Sequence, residues 1–436
     1  MKFFDRAEEL QVLRDVLKRS HNQAEFTLLT GRRRVGKTSL VLETFQNEPH
    51  LYLFVSRKSE SLLCAEYQQA AADALGLTIF GEITSFKDLF EQLLRYAEKQ
   101  HFTLIIDEFQ DFERVNKAIF SEIQDVWDRY KSKAHINLVV SGSLYSLLVR
   151  IFENEKEPLF GRLTAKIILQ PFTIQTMKDI LFSYNPNYMP EDLLCCYLLT
   201  GGVPKYLSLL MDSGAITKNK MLKLVCGAGS PFLTEGKEIL ISEFGKDYSI
   251  YFSIMQLIAS GKTAQTEIDS IIAKNTGAYL RNLEEEYLLV SKNQPLFSKP
   301  GSRNVRWRIK DCYLRFWFRF MYANQSLLET GRYDLFEELV HRYYNDYSGF
   351  LLEEYFRTKY REEGHFTKLG AYWDRKGENE IDLIALDDLN KTATIAEIKR
   401  NPNKISLGKL QGKTDSLKQE LNDYQISYKA LSLEDM

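Results

Sequence analysis

Along the first 170 positions, short apolar runs alternate with longer stretches in which apolar residues recur three and four apart. The runs at 25–30, 51–55, 102–106 and 136–140, with 166–169 as a fifth, have the length and bounding turns of buried strands. The stretches between them read as helices: 37–46, 62–75, 86–99 and 116–130. A further helix opens the chain, with Asp5 as N-cap, Glu8 three residues on, and an end near Lys18. This alternation predicts an α/β fold, a parallel sheet covered on both faces. Right-handed crossovers then gather the loops that follow the strands along one edge.

Beyond about Pro171 the pattern turns mostly helical, interrupted by the turn Gly201-Gly202-Val203-Pro204. Near Asp247 a new unit begins, with helices at 249–260, 265–274 and 277–286. Two strands follow, 288–290 and 305–309, separated by a Gly/Pro/Ser-rich turn at 298–303. Three helices and a ribbon is the order of a winged helix. An aromatic helix (313–322) and another at 336–347 lead to a last α/β segment from about Gly349. The expected division is 1–170 α/β core, 171–245 helical segment, 246–312 winged helix, 313–345 linking helices and 346–436 small α/β domain.

The decisive chemistry sits after the first strand. Gly31, Arg32, Arg33, Arg34, Val35, Gly36, Lys37 and Thr38 match G-x-x-x-x-G-K-[ST] in full, between a strand and a helix. The glycines let main-chain amides turn inward around phosphate oxygens, and the helix N-terminus adds partial positive charge. Lys37 can reach the β- and γ-phosphates of ATP, Thr38 can ligate Mg²⁺, and Ser39 extends the binding set. The strand 102–106 ends in Asp107 and Glu108. Asp107 can hold Mg²⁺ from across the site, and Glu108 is placed to polarise an attacking water. Ser141 and Ser143, after the next strand, can orient that water or cap a following helix. Arg162 reads equally as an arginine finger or a packing arginine.

These residues resemble the archaeal-type AAA+ ATPases, related to the STAND signalling ATPases. The resemblance is carried by Phe4-Asp5-Arg6 with Glu8-Glu9-Leu10, the arginine-rich loop and Asp107-Glu108. It continues in Ser141-Gly142-Ser143, Pro158-Leu159-Phe160-Gly161-Arg162 and Gly201-Gly202-Val203-Pro204-Lys205-Tyr206. It implies a helical lid, Pro204 near the nucleotide, and Asp5 and Arg6 near the adenine. Members of this layout often continue into a winged helix and a domain similar to PD-(D/E)XK nucleases.

In the last segment, Asp382 and Glu397 stand on two strands that a hairpin can bring together, with Lys399 two residues on and on the same face as Glu397. Two such carboxylates can hold Mg²⁺ or Mn²⁺, and the lysine can position a water. The set resembles the D…E-x-K core of PD-(D/E)XK nucleases. That family also uses a helical glutamate, a place Glu353 fills in preference to Glu354, and Gly377 fits before Glu380. The plain alternative is an amphipathic strand with Glu and Lys facing solvent.

Composition narrows partners. With 44% hydrophobic and 27% charged residues the chain reads as folded, and a net charge of −2 excludes a general polyanion-binding surface. Local basic groups remain: Lys299, Arg303, Arg306, Arg308 and Lys310 on the ribbon, with Trp307 among them. Lys274 and Arg281 lie beside them, and Arg400, Lys404, Lys409 and Lys413 follow Lys399. They point to DNA as a partner, although Glu284, Glu285 and Glu286 favour ordinary solvated charge. The five scattered cysteines show no metal or disulfide spacing, and no apolar run suits a bilayer. The expectation is a cytoplasmic protein without a membrane segment, able to work with a protein partner or as a homo-oligomer.

Overall fold

Strands β1 (Glu25–Gly31), β3 (Phe102–Asp107) and β4 (Ile136–Gly142) are buried at every position in the computed structural model, the condition for a sheet covered on both faces. With β2 (His50–Phe54) and β5 (Ala165–Leu169) they form a five-stranded sheet of order β2-β3-β4-β1-β5, parallel throughout. Alternate side chains feed two cores. Phe26, Leu28, Leu104, Ile106, Leu138 and Val140 face one, and Leu29, Ile105, Val139 and Ile167 the other. Each fully buried aliphatic side chain contributes about 1.5–3 kcal/mol. The chain leaves β1, runs through helix Lys37–Phe45 and returns at β2, two strands beyond the neighbouring β4. That reversal of direction puts the ends of β1, β3 and β4 at one crevice.

The structure describes residues 1–79, 81–244, 248–299, 301–374 and 378–436. They fall into two compact units, Phe4–Pro171, and Phe172–Met436 with Met1–Phe3. The second unit opens with helices Ile174–Tyr184, Pro190–Thr200, Pro204–Asp212, Lys218–Cys226 and Pro231–Phe244. Helices Tyr248–Ala259, Gln265–Ile272 and Gly277–Glu285 follow, then an antiparallel ribbon of β6 (Val290–Asn293) and β7 (Arg306–Ile309). A 30-residue helix, Tyr333–Glu362, leads into β8 (Lys368–Trp373), β9 (Glu380–Asp387) and β10 (Thr392–Ile398). Helix Leu407–Thr414 and β11 (Gln425–Leu431) complete a sheet of order β11-β10-β9-β8, antiparallel except for β10 with β11. Among the described residues no helix is long and apolar enough to cross a membrane.

Several local expectations change. Asp5 is not the first N-cap: Arg6 takes that position with φ 74° and no side-chain cap, and the helix runs Ala7–Ser20. The reason is the Arg6 guanidinium, which reaches Gln170 O at 2.7 Å and Val35 O at 3.4 Å and so sets the entry of the chain. The strand expected at 288–290 begins only at Val290, because Leu288 adopts a left-handed turn with φ 54°. The aromatic helix is α-helical only over Cys312–Phe316 and widens to a π-helix at Trp317–Met321, where Trp317, Phe318 and Tyr322 pack around Phe252. The boundary expected between 345 and 346 lies inside the continuous helix Tyr333–Glu362, which passes through Gly349 without a break. The expected start at Asp247, and Pro300 within the 298–303 turn, lie outside the described residues.

Gly236, inside helix Pro231–Phe244, lies under an indole: a Cβ there would stand 2.4 Å from Trp317 Cδ2. A Gly→Ala change in an open helix interior stabilises by about 0.5–1 kcal/mol. At Gly236 the clash reverses the sign. Gly236→Ala is expected to destabilise by about 1–3 kcal/mol in denaturant unfolding. Gly412→Ala, with nothing within 4 Å in helix Leu407–Thr414, should stabilise. Equal effects at the two positions would contradict this packing.

Candidate nucleotide site

The loop after β1 takes its shape from two glycines. Gly31 has φ 151°, and a Cβ on it would stand 2.5 Å from Leu169 O. Gly36, with φ 90°, is the N-cap of helix Lys37–Phe45. Arg34 between them also lies at positive φ, 71°, a conformation that costs a non-glycine residue about 1 kcal/mol or more. The helix has no acidic side chain in its first turn, so its amide dipole faces the loop without a carboxylate of its own. Lys37 lies under the loop and donates to Gly31 O at 2.8 Å and Arg32 O at 3.1 Å. Burial pulls its ammonium down to about 8, against the opposing charges of Glu108 and Asp107.

Asp107, 5% exposed at the tip of β3, collects donors from around the crevice. Thr38 Oγ1 (2.9 Å) and Tyr52 OH (2.8 Å) donate to Oδ2. Ser141 Oγ (2.6 Å) and the Glu108 amide (3.0 Å) donate to Oδ1. Glu108 sits at φ 53°, which turns its carboxylate back toward β4. There it accepts from Ser143 Oγ at 3.0 Å and Gln110 Nε2 at 2.5 Å. Arg33 Nε reaches the same Ser143 hydroxyl at 3.5 Å. Both serines therefore serve the carboxylates, and helix Tyr145–Glu153 begins without a side-chain cap. Thr38 and Asp107, already sharing a proton at 2.9 Å, are the hydroxyl and carboxylate oxygens that Mg²⁺ takes, so the donor set fits that ion.

Thus the structure brings together the loop from Gly31 to Thr38, Asp107, Glu108, Ser141 and Ser143, and joins Arg6 to the loop through Val35 O. Arg162 does not join them. It precedes β5, whose Ala165 pairs with Thr27 while the loop begins at Gly31, and its guanidinium is held by Asp128 at 2.7 Å and Phe160 O at 2.9 Å. Within one chain it stands at the far end of the sheet from the loop, so an arginine-finger role inside the chain is excluded. Pro204 belongs to the other unit, where it opens helix Pro204–Asp212 at its first position. Tyr52 and Gln110 escaped the sequence analysis. Tyr52 looks like any strand aromatic, and only the pairing of β2 with β3 shows its hydroxyl at Asp107.

In the C-terminal sheet the register Ala396↔Leu383 carries Glu397 opposite Asp382. Lys399 Nζ lies 3.1 Å from Asp382 Oδ2 and 4.0 Å from Glu397 Oε1, and Lys413 approaches Glu397 at 3.6 Å. Asp382 Oδ2 also accepts from the Ile398 amide at 2.8 Å. Arg357 donates to Asp382 O at 2.8 Å and stands 3.5 Å from both Glu353 and Glu354. Burial pushes Glu353 up, with Arg357 opposing and Asp382 adding to the rise. Burial also acts on Glu354, but Arg357, Arg315 and Arg308 outweigh it and hold that carboxyl at about 2. Glu353, Asp382, Glu397 and Lys399 thus converge, yet among the described residues no three His, Cys, Asp or Glu side chains form a group able to hold a metal. Gly377 lies outside the described residues.

Part of the expected basic surface is consumed internally. Arg306 pairs with Glu380 (2.6 Å), Arg308 with Glu354 (3.4 Å), Arg400 with Glu191 (2.6 Å), and Trp307 is buried. Lys274, Arg281, Lys299, Arg303, Lys310, Lys404 and Lys409 remain exposed.

Known proteins similar to this chain include ATPases, and the similarity spans the segment that holds the first site. Residues 3–210 match an ATPase domain family found predominantly in Archaea. Residues 317–423 match a family of archaeal and bacterial proteins of unknown function. An uncharacterised protein of Methanocaldococcus jannaschii is 28% identical over 407 residues, 91% of this chain and 87% of that one. The fold is similar to a Walker-type ATPase of Pyrococcus abyssi, at 20% identity, covering 73% of this chain and 96% of the other with a TM-score of 0.54. It is also similar to the Aeropyrum pernix ORC2 protein, solved in ADPNP–ADP complexes, at 15% identity, 75% and 96% coverage, and a TM-score of 0.51.

The buried lysine of this phosphate-loop site gives a proton-linkage prediction. Its pKa is lowered on folding, so the folded chain binds fewer protons than the unfolded one between pH 8 and 10.5. The cost of burying the charge is full below pH 8 and disappears as pH rises through 10.5. A triphosphate beside Lys37 restores the charged form. Nucleotide binding at about pH 8.5 is therefore expected to take up a fraction of a proton, read as a buffer-dependent calorimetric enthalpy. Lys37→Arg, charged at every accessible pH, should bind without that uptake.

Proposed function

We propose that this protein is an ATP-hydrolysing AAA+-type ATPase that binds DNA and whose nucleotide cycle governs a nuclease-like C-terminal domain. The observation that carries the ATPase part is the 2.9 Å hydrogen bond between Thr38 and Asp107, which joins the phosphate loop to the acidic strand tip. Loop amides and Lys37 bind the phosphates of the substrate. Thr38 and Asp107 hold Mg²⁺, which neutralises phosphate charge when bound. Glu108, braced by Ser143 and Gln110, orients the attacking water. Arg162 serves, if at all, a neighbouring copy.

DNA binding is supported by the three helices and ribbon of residues 248–309, taken as a winged helix, with Lys274, Arg281, Lys299 and Arg303 exposed around them. The nuclease-like reading is supported by the convergence of Asp382, Glu397, Lys399 and Glu353. Asp382 and Glu397 would hold Mg²⁺ or Mn²⁺ in the position that the Lys399 ammonium now approaches. A second reading, a nucleotide switch with a non-cutting C-terminal module, is favoured by the lysines and Arg357 that already neutralise these carboxylates.

Lys37→Ala is expected to reduce ATP turnover to background in a phosphate-release assay with the fold intact by circular dichroism. Glu108→Gln should lower turnover by about 10²–10⁴-fold while nucleotide still binds. Turnover retained by Lys37→Ala would refute the site. With Mg²⁺ or Mn²⁺ and ATP, the wild-type chain is expected to nick linear or branched DNA, and Asp382→Ala or Glu397→Ala to abolish it. Intact DNA after long incubation would leave the non-cutting switch.

A further inference from the structure

A cavity of about 500 Å³ lies in the second unit, between the end of helix Tyr248–Ala259, strand β7, the α/π segment 312–321 and helix Tyr333–Glu362. Neither the phosphate loop nor the C-terminal carboxylates line it. Four arginines do, at 306, 308, 315 and 319, against one carboxylate, the exposed Asp346.

Two of these arginines are already matched, Arg306 by Glu380 and Arg308 by Glu354. Arg315 and Arg319 make no ion pair within 4.0 Å among the described residues, although the charge of Arg315 also acts on Glu354. Arg315 is 6% exposed; it donates to Ile309 O through Nη2, and its Nη1 is buried without a hydrogen-bond partner. The hydroxyl of Tyr347 and the indole N–H of Trp307, both lining groups, are likewise buried and unpartnered. Burial pushes the Tyr347 phenol far up its scale, so it stays a neutral donor, even with Arg315 and Arg319 acting the other way.

A buried polar group without a partner costs about 1–3 kcal/mol, and here every orphaned group on the lining is a donor. Such a lining asks for a ligand rich in acceptors and negative in charge. Phe350 braces the guanidiniums of Arg308 and Arg315, whose centres lie 4.9 and 5.9 Å from its ring centroid. That stacking organises the donors before a ligand arrives. The volume is that of a small-molecule site, far larger than inorganic phosphate needs, and Ile258, Ala259 and Ile309 give it an apolar wall. The unpartnered donor atoms are themselves buried, although Tyr347 as a whole is half-buried, and they lie too deep for the backbone of a duplex.

We propose that this cavity binds a small organic phosphate of nucleoside-monophosphate size, its phosphate held by Arg315, Arg319 and Tyr347. The ATPase domain would then be joined in one chain to a second, independent phosphate-ligand site.

The test uses the full chain with its P-loop saturated by Mg²⁺ and a non-hydrolysable ATP analogue, titrated with AMP, CMP, inorganic phosphate and duplex DNA. A nucleoside monophosphate is expected to bind and to raise the melting temperature. Tyr347→Phe breaks no internal hydrogen bond, so it should leave the ligand-free melting temperature unchanged or higher while weakening binding about tenfold. Arg319→Gln should weaken binding at least as much, and Asp346→Asn should tighten it. No monophosphate binding up to about 10 mM, or binding indifferent to Tyr347→Phe and Arg319→Gln, overturns the proposal. So does inorganic phosphate binding as tightly as the monophosphates, or these variants affecting only duplex DNA. Because the P-loop is loaded throughout, any of these failures leaves the ATPase reading untouched.

Discussion

One carboxylate holds the nucleotide crevice together. Asp107 accepts hydrogen bonds from Thr38 after β1, Tyr52 in β2, Ser141 in β4 and the amide that follows it in its own strand. A charge buried at a strand tip is costly unless its lone pairs are filled. Filling them from three neighbouring segments fixes how far apart those segments stand. The same bonds place the hydroxyl of Thr38 beside the carboxylate, so the feature that makes the acid tolerable is also the one that prepares a cation site. Lys37 is the complementary case: a cation buried against loop carbonyls, destabilised until an anion arrives. The charges of a crevice of this kind suit an anion beside Lys37 and a cation between Thr38 and Asp107.

Much of this architecture is legible in the sequence because its signals are local and redundant. A seven-residue buried strand, a loop with glycine at two of its three positions of positive φ and a helix without early acids all lie within residues 25–45. Strand β3 announces itself as five consecutive apolar or β-branched residues followed by Asp107. What the sequence conceals is which strands are neighbours. Tyr52 contributes to the site only because β2 pairs with β3, and Gln110 only because a short 3₁₀ turn brings it back to Glu108. Arg162 shows the converse. Its motif context suggests chemistry, but its position before β5 assigns it to the far end of the sheet and to Asp128.

Charge was the least legible property, for a physical reason. A lysine or arginine in a sequence looks available to an outside partner until its internal carboxylate is known, and those carboxylates are distant along the chain. Arg400 meets Glu191, Arg306 meets Glu380, and Lys413 meets Glu397. These pairs are mostly half-buried, and even the solvent-exposed kind contributes only about 0–1 kcal/mol. Their larger consequence is to remove cations from the pool that can face DNA. The helical acids show the same dependence on context. Glu353 and Glu354 are adjacent in sequence, yet burial and Asp382 push the first up while three arginines hold the second down.

This asymmetry bears on how the C-terminal sheet should be understood. Arg357 is 5% exposed and stands between Glu353, Glu354 and the Asp382 carbonyl, so it is the group around which these charges are arranged. A buried guanidinium of this kind is stable only while its acceptors remain. Glu353 and Glu354 therefore have a structural duty whether or not Asp382 and Glu397 take part in chemistry. A helical glutamate there is weak evidence of catalysis by itself. The stronger discriminator is Lys399, whose ammonium is held between two carboxylates and, among the described residues, by no main-chain acceptor. A cation placed that way can be displaced by another cation, whereas Arg357, tied to the backbone of β9, cannot.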